Sequence, residues 1–296
     1  MFWALLFTGA CMVIELVGGI VASSLTLLAD AAHMLTDCAS LAMSYAAVRA
    51  ALRPASARMN YGHHRWQVLA AFVNGNALMV LAAWIVFEAG QRLFSHNEVR
   101  GGIVASIAVL GLISNFAAFM VLSRGESNLN VRGALSHVIG DMLGSGAALL
   151  AGLVIYATGW MPIDALLSAV VALLMIRSGW AITRQSAHIL LQGAPDGLDQ
   201  EKVSAALRAA VPQLEGIHHL HSWLLTDERP TVTLHAVLKD SSDQDHAVRA
   251  IIRELRTSFN VIHATIQVEH AGCAQADSDE AGTSGAIVAI HHAHSG

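Results

Sequence analysis

Six apolar runs occupy most of the first 190 positions, at about 2–22, 25–49, 67–94, 102–122, 131–157 and 163–190. A helix rises 1.5 Å per residue, so about 20 apolar residues cross the ~30 Å hydrocarbon core of a bilayer. In that solvent every backbone N–H and C=O must bond within its own segment, which restricts such runs to helices. Composition agrees: only 13% of the 296 residues are charged, against about 25% in soluble domains. The first run has no basic residue before it and carries Glu15 in its middle, so it reads as a true span and not a signal peptide.

Arginine placement orients the spans. Arg49, Arg53, Arg58 and Arg65 surround the connection between the second and third, and Arg124 and Arg132 that between the fourth and fifth. The opposite side has only Arg92 and Arg100, flanking one loop. The positive-inside rule then places both termini in the cytoplasm. A net charge of −5 and the lack of a basic stripe exclude a nucleic-acid partner. The three cysteines, Cys11, Cys38 and Cys273, form no C-x-x-C pair and suggest no disulfide framework.

Within the second and fifth runs stand two H-x-x-x-D pairs, His33 with Asp37 and His137 with Asp141. Residues i and i+4 lie one above the other on a helix, so each pair presents an imidazole and a carboxylate on one face. Two such helices facing each other converge four N and O ligands, a set that suits tetrahedral Zn2+. Ionisable groups at membrane depth ordinarily mark an ion path. The competing reading is a pair of helix-packing polar contacts, His to Asp, that fasten the bundle. Mn2+ and Mg2+ prefer all-oxygen shells, whereas Co2+, Cd2+ and Ni2+ are compatible with the same donors.

After Arg184 the pattern changes, and Gly193–Gly197 reads as a helix stop and hinge. A helical segment through Val203, Leu207 and Val211 precedes two strand-like runs, Gly216–Leu225 and Thr231–Lys239. Asp245–Phe259 is helical again, and Val261–Glu269 alternates like a strand. The order α-β-β-α-β predicts a small α+β domain with its helices on one side of a sheet. The expected division is a six-helix membrane domain over 1–192, a soluble domain over 193–271, and a disordered histidine-containing tail over 272–296.

Several stretches together resemble the cation diffusion facilitator family, in its bacterial zinc, cadmium and cobalt efflux branch. They are Glu15–Gly19, Ser24 through Asp37, Tyr61–Arg65, Asn130 through Asp141, His218 through Trp223 and His263–Glu269. The resemblance runs in order over about residues 2–270. It implies six transmembrane helices, a cytosolic ferredoxin-like (αββαβ) domain, a homodimer, and export of divalent metal driven by inward proton flow. It also implies that His218, His235 and His263 help bind regulatory metal at the dimer interface; His246 and Glu269 are further cytosolic candidates on their residue types alone.

Strand geometry constrains those cytosolic ligands. His263 and Glu269 share a face but stand about 20 Å apart at ~3.3 Å per residue, so Glu269 belongs to a different site from His263. By the same alternation His219 and His221 point away from His218. In some members of the family the loop after the second span carries another site. Here His63 matches it, yet Pro54–Asn60 offers no carboxylate or further histidine to complete it. Asp30 and Asn130 lie near the ligand faces, either orienting an imidazole or capping a helix end. Glu15 and Asn115 either line the same path or bond between helices. Asp164 reads as a first-turn residue favoured by the dipole of the sixth helix.

The expected function is Zn2+/H+ antiport across a bacterial inner membrane, lowering cytoplasmic metal. Metal displaces protons from imidazole and carboxylate, which is the simplest basis for exchange. The alternative is a membrane-anchored sensor that binds zinc without moving it. A metalloenzyme is disfavoured, since no H-E-x-x-H pattern is present.

Overall fold

The computed structural model describes residues 2–51, 56–95, 98–123, 129–227, 229–239 and 243–270. Some helical side chains, those of Asn130 and His137 among them, lie outside the described residues, as does the whole of the 272–296 tail. The chain forms two compact units, Met1–Ser186 and Ala187–Gly296.

The first unit contains six long helices: α1 (Phe2–Ala22), α2 (Leu25–Ala51), α3 (Arg65–Phe94), α4 (Gly101–Ser123), α5 (Leu129–Thr158) and α6 (Pro162–Leu190). Among the described residues, α3 and α6 and the stretches Gly101–Met120 and Val138–Thr158 are long and apolar enough to cross a membrane. Thr8–Ala22 is a shorter apolar helix. The protein is a multi-pass membrane protein with a small mixed-sheet domain appended. Its outward faces are apolar, with Val80, Phe87, Leu110, Leu143 and Trp180 exposed. Such faces are stable against lipid tails and not against water.

Helix α2 is shared by two packed layers. Leu25 and Ala29 join α3 residues Leu78, Ala82 and Ile85 and α6 residues Ala172 and Met175. Leu27 joins Ala22, Val104 and Ala108 with Ala148 and Ile155 of α5. Small residues let these backbones approach, as expected where packing and not water drives association. A Cβ on Gly152 would lie 2.5 Å from the Ala105 nitrogen, so only glycine permits the observed α4–α5 contact.

Asp164 does more than sit favourably on a dipole. Its carboxylate is buried and accepts from Ser24 Oγ (2.6 Å), from the Leu25 N–H (2.6 Å) and from the Thr26 N–H (3.3 Å). Thr26 Oγ1 donates in return to the Asp164 carbonyl at 2.8 Å. The first turn of α6 thus caps the first turn of α2, satisfying N–H groups that no intrahelical partner can reach.

The second unit runs α7 (Gln200–Ala210), β1 (Leu214–Leu224), β2 (Pro230–Leu238), α8 (Gln244–Phe259) and β3 (His263–Glu269). Strand order is β1-β2-β3, with β1/β2 antiparallel and β2/β3 parallel. Asp199 caps α7 through the Lys202 N–H at 2.9 Å, and α8 ends on Asn260 in the left-handed region. Val203, Leu207, Ile251 and Leu255 bury one sheet face together with Val232, Leu234, Ala236 and Leu238. The other face carries Thr233, His235 and Glu269.

Two candidate metal centres

The first centre joins α2 to α5. Ligand atoms of His33, Asp37 and Asp141 lie within 4.8 Å of one another, and His33 Nε2 stands 3.7 Å from Asp141 Oδ1. Helical spacing produces the α2 half: Asp37 follows His33 by one turn, so both reach the same side. Asp141 arrives from α5, where His137 precedes it by one turn; the His137 side chain lies outside the described residues. A tetrahedral site with 2.0–2.1 Å bonds has donor–donor edges of about 3.3 Å. The observed His33–Asp141 separation of 3.7 Å is a few tenths of an ångström longer than such an edge. Two carboxylates balance the charge of a divalent ion, which lowers the cost of holding it at membrane depth.

A buried polar row adjoins this centre. Asp30, one turn before His33, accepts from Ser145 Oγ at 2.9 Å, and Asn115 Nδ2 donates to Ser145 Oγ at 3.4 Å. Glu15, 2% exposed, stands across from Gly111 beside the same serine. Ser145 escaped the sequence reading, although its signal is there: it follows Asp141 by one helical turn. Asn130 is on α5, with its side chain outside the described residues.

The second centre lies on the open face of the sheet. His218 Nε2 is 2.9 Å from Glu269 Oε2, and His235 Nδ1 is 3.1 Å from Glu269 Oε1. Register explains the meeting: His218 pairs with His235 across β1/β2, and Glu269 pairs with Val237 on the far side of β2. Gln267 Nε2 donates to Glu269 Oε1 at 2.9 Å, fixing the buried carboxylate. Burial lowers the pKa of His235, against the nearby Glu269 charge, which raises it. The neutral imidazole favoured by burial is the form that ligates metal. Two imidazoles and a carboxylate are a donor set that fits Zn2+.

His263 does not reach this cluster. It pairs with Thr231, at the opposite end of β3 from Glu269. His246 is exposed on α8, 3.6 Å from Asp243. His63 is half-buried at the turn before α3. Neither His63, His246 nor His263 joins a group of three close ligands among the described residues.

Simple alternation misplaces His219 and His221. The β1/β2 register shifts between His218 and His221, so His221 pairs with Thr233 and shares the face of His218 and His235. At the bulge His219 adopts φ +49°, and its ring stacks on His235 with centroids 4.9 Å apart. An inserted residue in one strand inverts the facing of everything after it.

Comparison with known proteins accounts for both units. Residues 1–191 match the model of the cation efflux transmembrane domain, and residues 195–271 match that of the cation efflux protein, cytoplasmic domain. The zinc transporter ZitB of Escherichia coli (strain K12) is 42% identical over 268 residues, covering 90% of this chain and 85% of that protein. The metal cation efflux system protein CzcD of Cupriavidus metallidurans is 36% identical over 277 residues, covering 93% and 87%. A cadmium, cobalt and zinc/H(+)-K(+) antiporter of Bacillus subtilis is 37% identical over 264 residues, covering 87% and 84%.

Proposed function

This chain belongs to the cation efflux (cation diffusion facilitator) family of membrane metal transporters and is not an enzyme, and we propose that it exports Zn2+ from the cytoplasm of a bacterial cell in exchange for protons. The observation that carries the reading is the convergence of His33, Asp37 and Asp141 from two helices at membrane depth. His137 is the fourth ligand in this reading, supplied by the second H-x-x-x-D pair. Cadmium and cobalt fit the same donors as side substrates.

Exchange follows from ligand chemistry. Zn2+ binds deprotonated carboxylate and neutral imidazole, so its arrival releases protons and its departure restores them. With the site alternately open to each side, an inward proton gradient drives metal outward. Both termini face the cytoplasm in this reading, following the arginines at the α2–α3 and α4–α5 connections. His218, His235 and Glu269 hold a resident zinc ion in the soluble unit, and two copies of the chain form the working dimer. Bound there, zinc cross-links β1, β2 and β3 on the face opposite the helices.

The test is Zn2+ uptake into sealed proteoliposomes, with and without an imposed pH gradient. Uptake that requires the gradient supports antiport. Tight binding with no flux, under conditions where an established transporter works, would overturn the reading in favour of a sensor.

A further inference from the structure

Glu15 is unexplained by the metal centre. It lies midway along α1, is 2% exposed, and its Oε2 has no hydrogen-bond partner among the described residues. No lysine or arginine stands in α1 or α4, in α2 before Arg49, or in α5 after Arg132. Among the described residues, the charges of Asp30 and Asp141, both of its own sign, act on it. A buried carboxylate among carboxylates at membrane depth needs a balancing positive charge. On this side of the bundle a proton or a bound cation is what can supply it.

The surroundings are shaped around this carboxylate. A Cβ on Gly111 would lie 2.5 Å from Glu15 Oε1 and 3.1 Å from Ser145 Oγ, so glycine there leaves Glu15 facing the serine hydroxyl. Ser145 donates to Asp30 at 2.9 Å, and a Cβ on Gly144 would collide with Asp30 Oδ1. Two glycines therefore make room for two acids on either side of one hydroxyl. Asp30 precedes His33 by one turn of α2. The row Glu15, Ser145, Asp30 thus leads from α1 through α5 to the helix that carries the metal ligands. Among the described residues the other titratable groups around it are Asp37 and Asp141, which act on Asp30, with His33 one turn further along α2 and Cys11 on α1; α4 contributes Ser114 and Asn115, with no titratable residue.

We propose that Glu15 is a proton-carrying site separate from the metal ligands, exchanging its proton with the metal centre through Ser145 and Asp30. The inference rests on the antiport reading above. One O–H bond forms on Glu15 when a proton is taken from the outer side. It breaks when that proton passes to the serine–aspartate row as metal leaves the ligands. A group that stores the proton away from the ligands lets proton and metal occupy the protein at the same moment of the cycle, which competition for the ligands alone forbids.

The experiment compares wild type, Glu15→Gln and Ser145→Ala in proteoliposomes, scoring how far a pH gradient stimulates Zn2+ uptake. Calorimetry of Zn2+ binding in detergent runs alongside. Glu15→Gln is expected to bind Zn2+ with wild-type affinity and to lose the stimulation, and Ser145→Ala to weaken it. Glu15→Asp, which keeps the acid, restores part of it. Wild-type stimulation retained in Glu15→Gln would overturn the proposal. If Glu15→Gln does not fold, unchanged stimulation in Ser145→Ala overturns it instead. Wild type that shows flux without any stimulation would sink the antiport reading itself, and the role of Glu15 with it.

Discussion

Single side chains set both candidate metal centres. In the proposed transport site Asp37 and Asp141 each supply an oxygen donor from a different helix, so losing either would leave an incomplete shell and an unbalanced divalent charge. Asp37→Ala or Asp141→Ala is expected to abolish Zn2+ flux while the protein still elutes as a folded species in detergent. Near-normal flux in either variant would dismiss the assignment. In the soluble unit the sign for His235 can be worked out. Burial lowers its pKa below the ordinary value, so the folded state binds fewer protons than the unfolded one. Stability is therefore complete above the usual pKa of about 6.5 and declines as pH falls below it. Thermal melts of the full chain between about pH 7.5 and 5.5 read this directly, and His235→Gln should flatten the dependence.

At the scale of elements, α2 is held at its start by a residue of another helix. Asp164→Ala leaves the Ser24 hydroxyl and the Leu25 and Thr26 N–H groups buried without their acceptor. Each such orphan costs about 1–3 kcal/mol, so a clear fall in melting temperature is expected. Asp164→Asn, which keeps an oxygen acceptor, should recover part of it; equal melting of wild type and Asp164→Ala would refute the clamp. The strands show a comparable dependence on one residue. The bulge at His219 turns His221 and Trp223 onto the histidine face, where they border a cavity with Leu198, Asp199 and Thr233.

For the whole molecule, the proposed metal binding would link function to stability. A ligand that binds only the folded state stabilises it by RT ln(1 + [L]/Kd), about 2.7 kcal/mol at a hundredfold excess over Kd. Zn2+ should therefore raise the melting temperature of the full chain and slow amide exchange in β1, β2 and β3. Glu269→Ala removes the carboxylate shared by His218 and His235, and should cancel the slowing in those strands while leaving that around α2 and α5. Equal slowing in the variant would show that the strand cluster holds no metal.

Much of this protein is written locally. Six apolar runs longer than a bilayer is thick leave helices as the one solution for each, and the observed bounds fall within a few residues of the expected ones. The α-β-β-α-β order is equally local, because periods of 3.6 and 2 are visible in short windows. His33 with Asp37, and His137 with Asp141, were legible because a helix makes i and i+4 neighbours without help from the fold. Tertiary structure decided the rest. Asp164 and Ser24 are 140 residues apart, and no periodicity announces that one caps the other. Glu269 meets His218 and His235 through strand register, and His219 and His221 face the cluster through a bulge, both settled by pairing between segments. Glu15 and Ser145 both crowd onto Gly111 of α4, where any side chain would collide with the Glu15 carboxylate. Spacing within an element belongs to the sequence; which elements touch, and in what register, belongs to packing, since that depends on shapes brought together from distant parts of the chain.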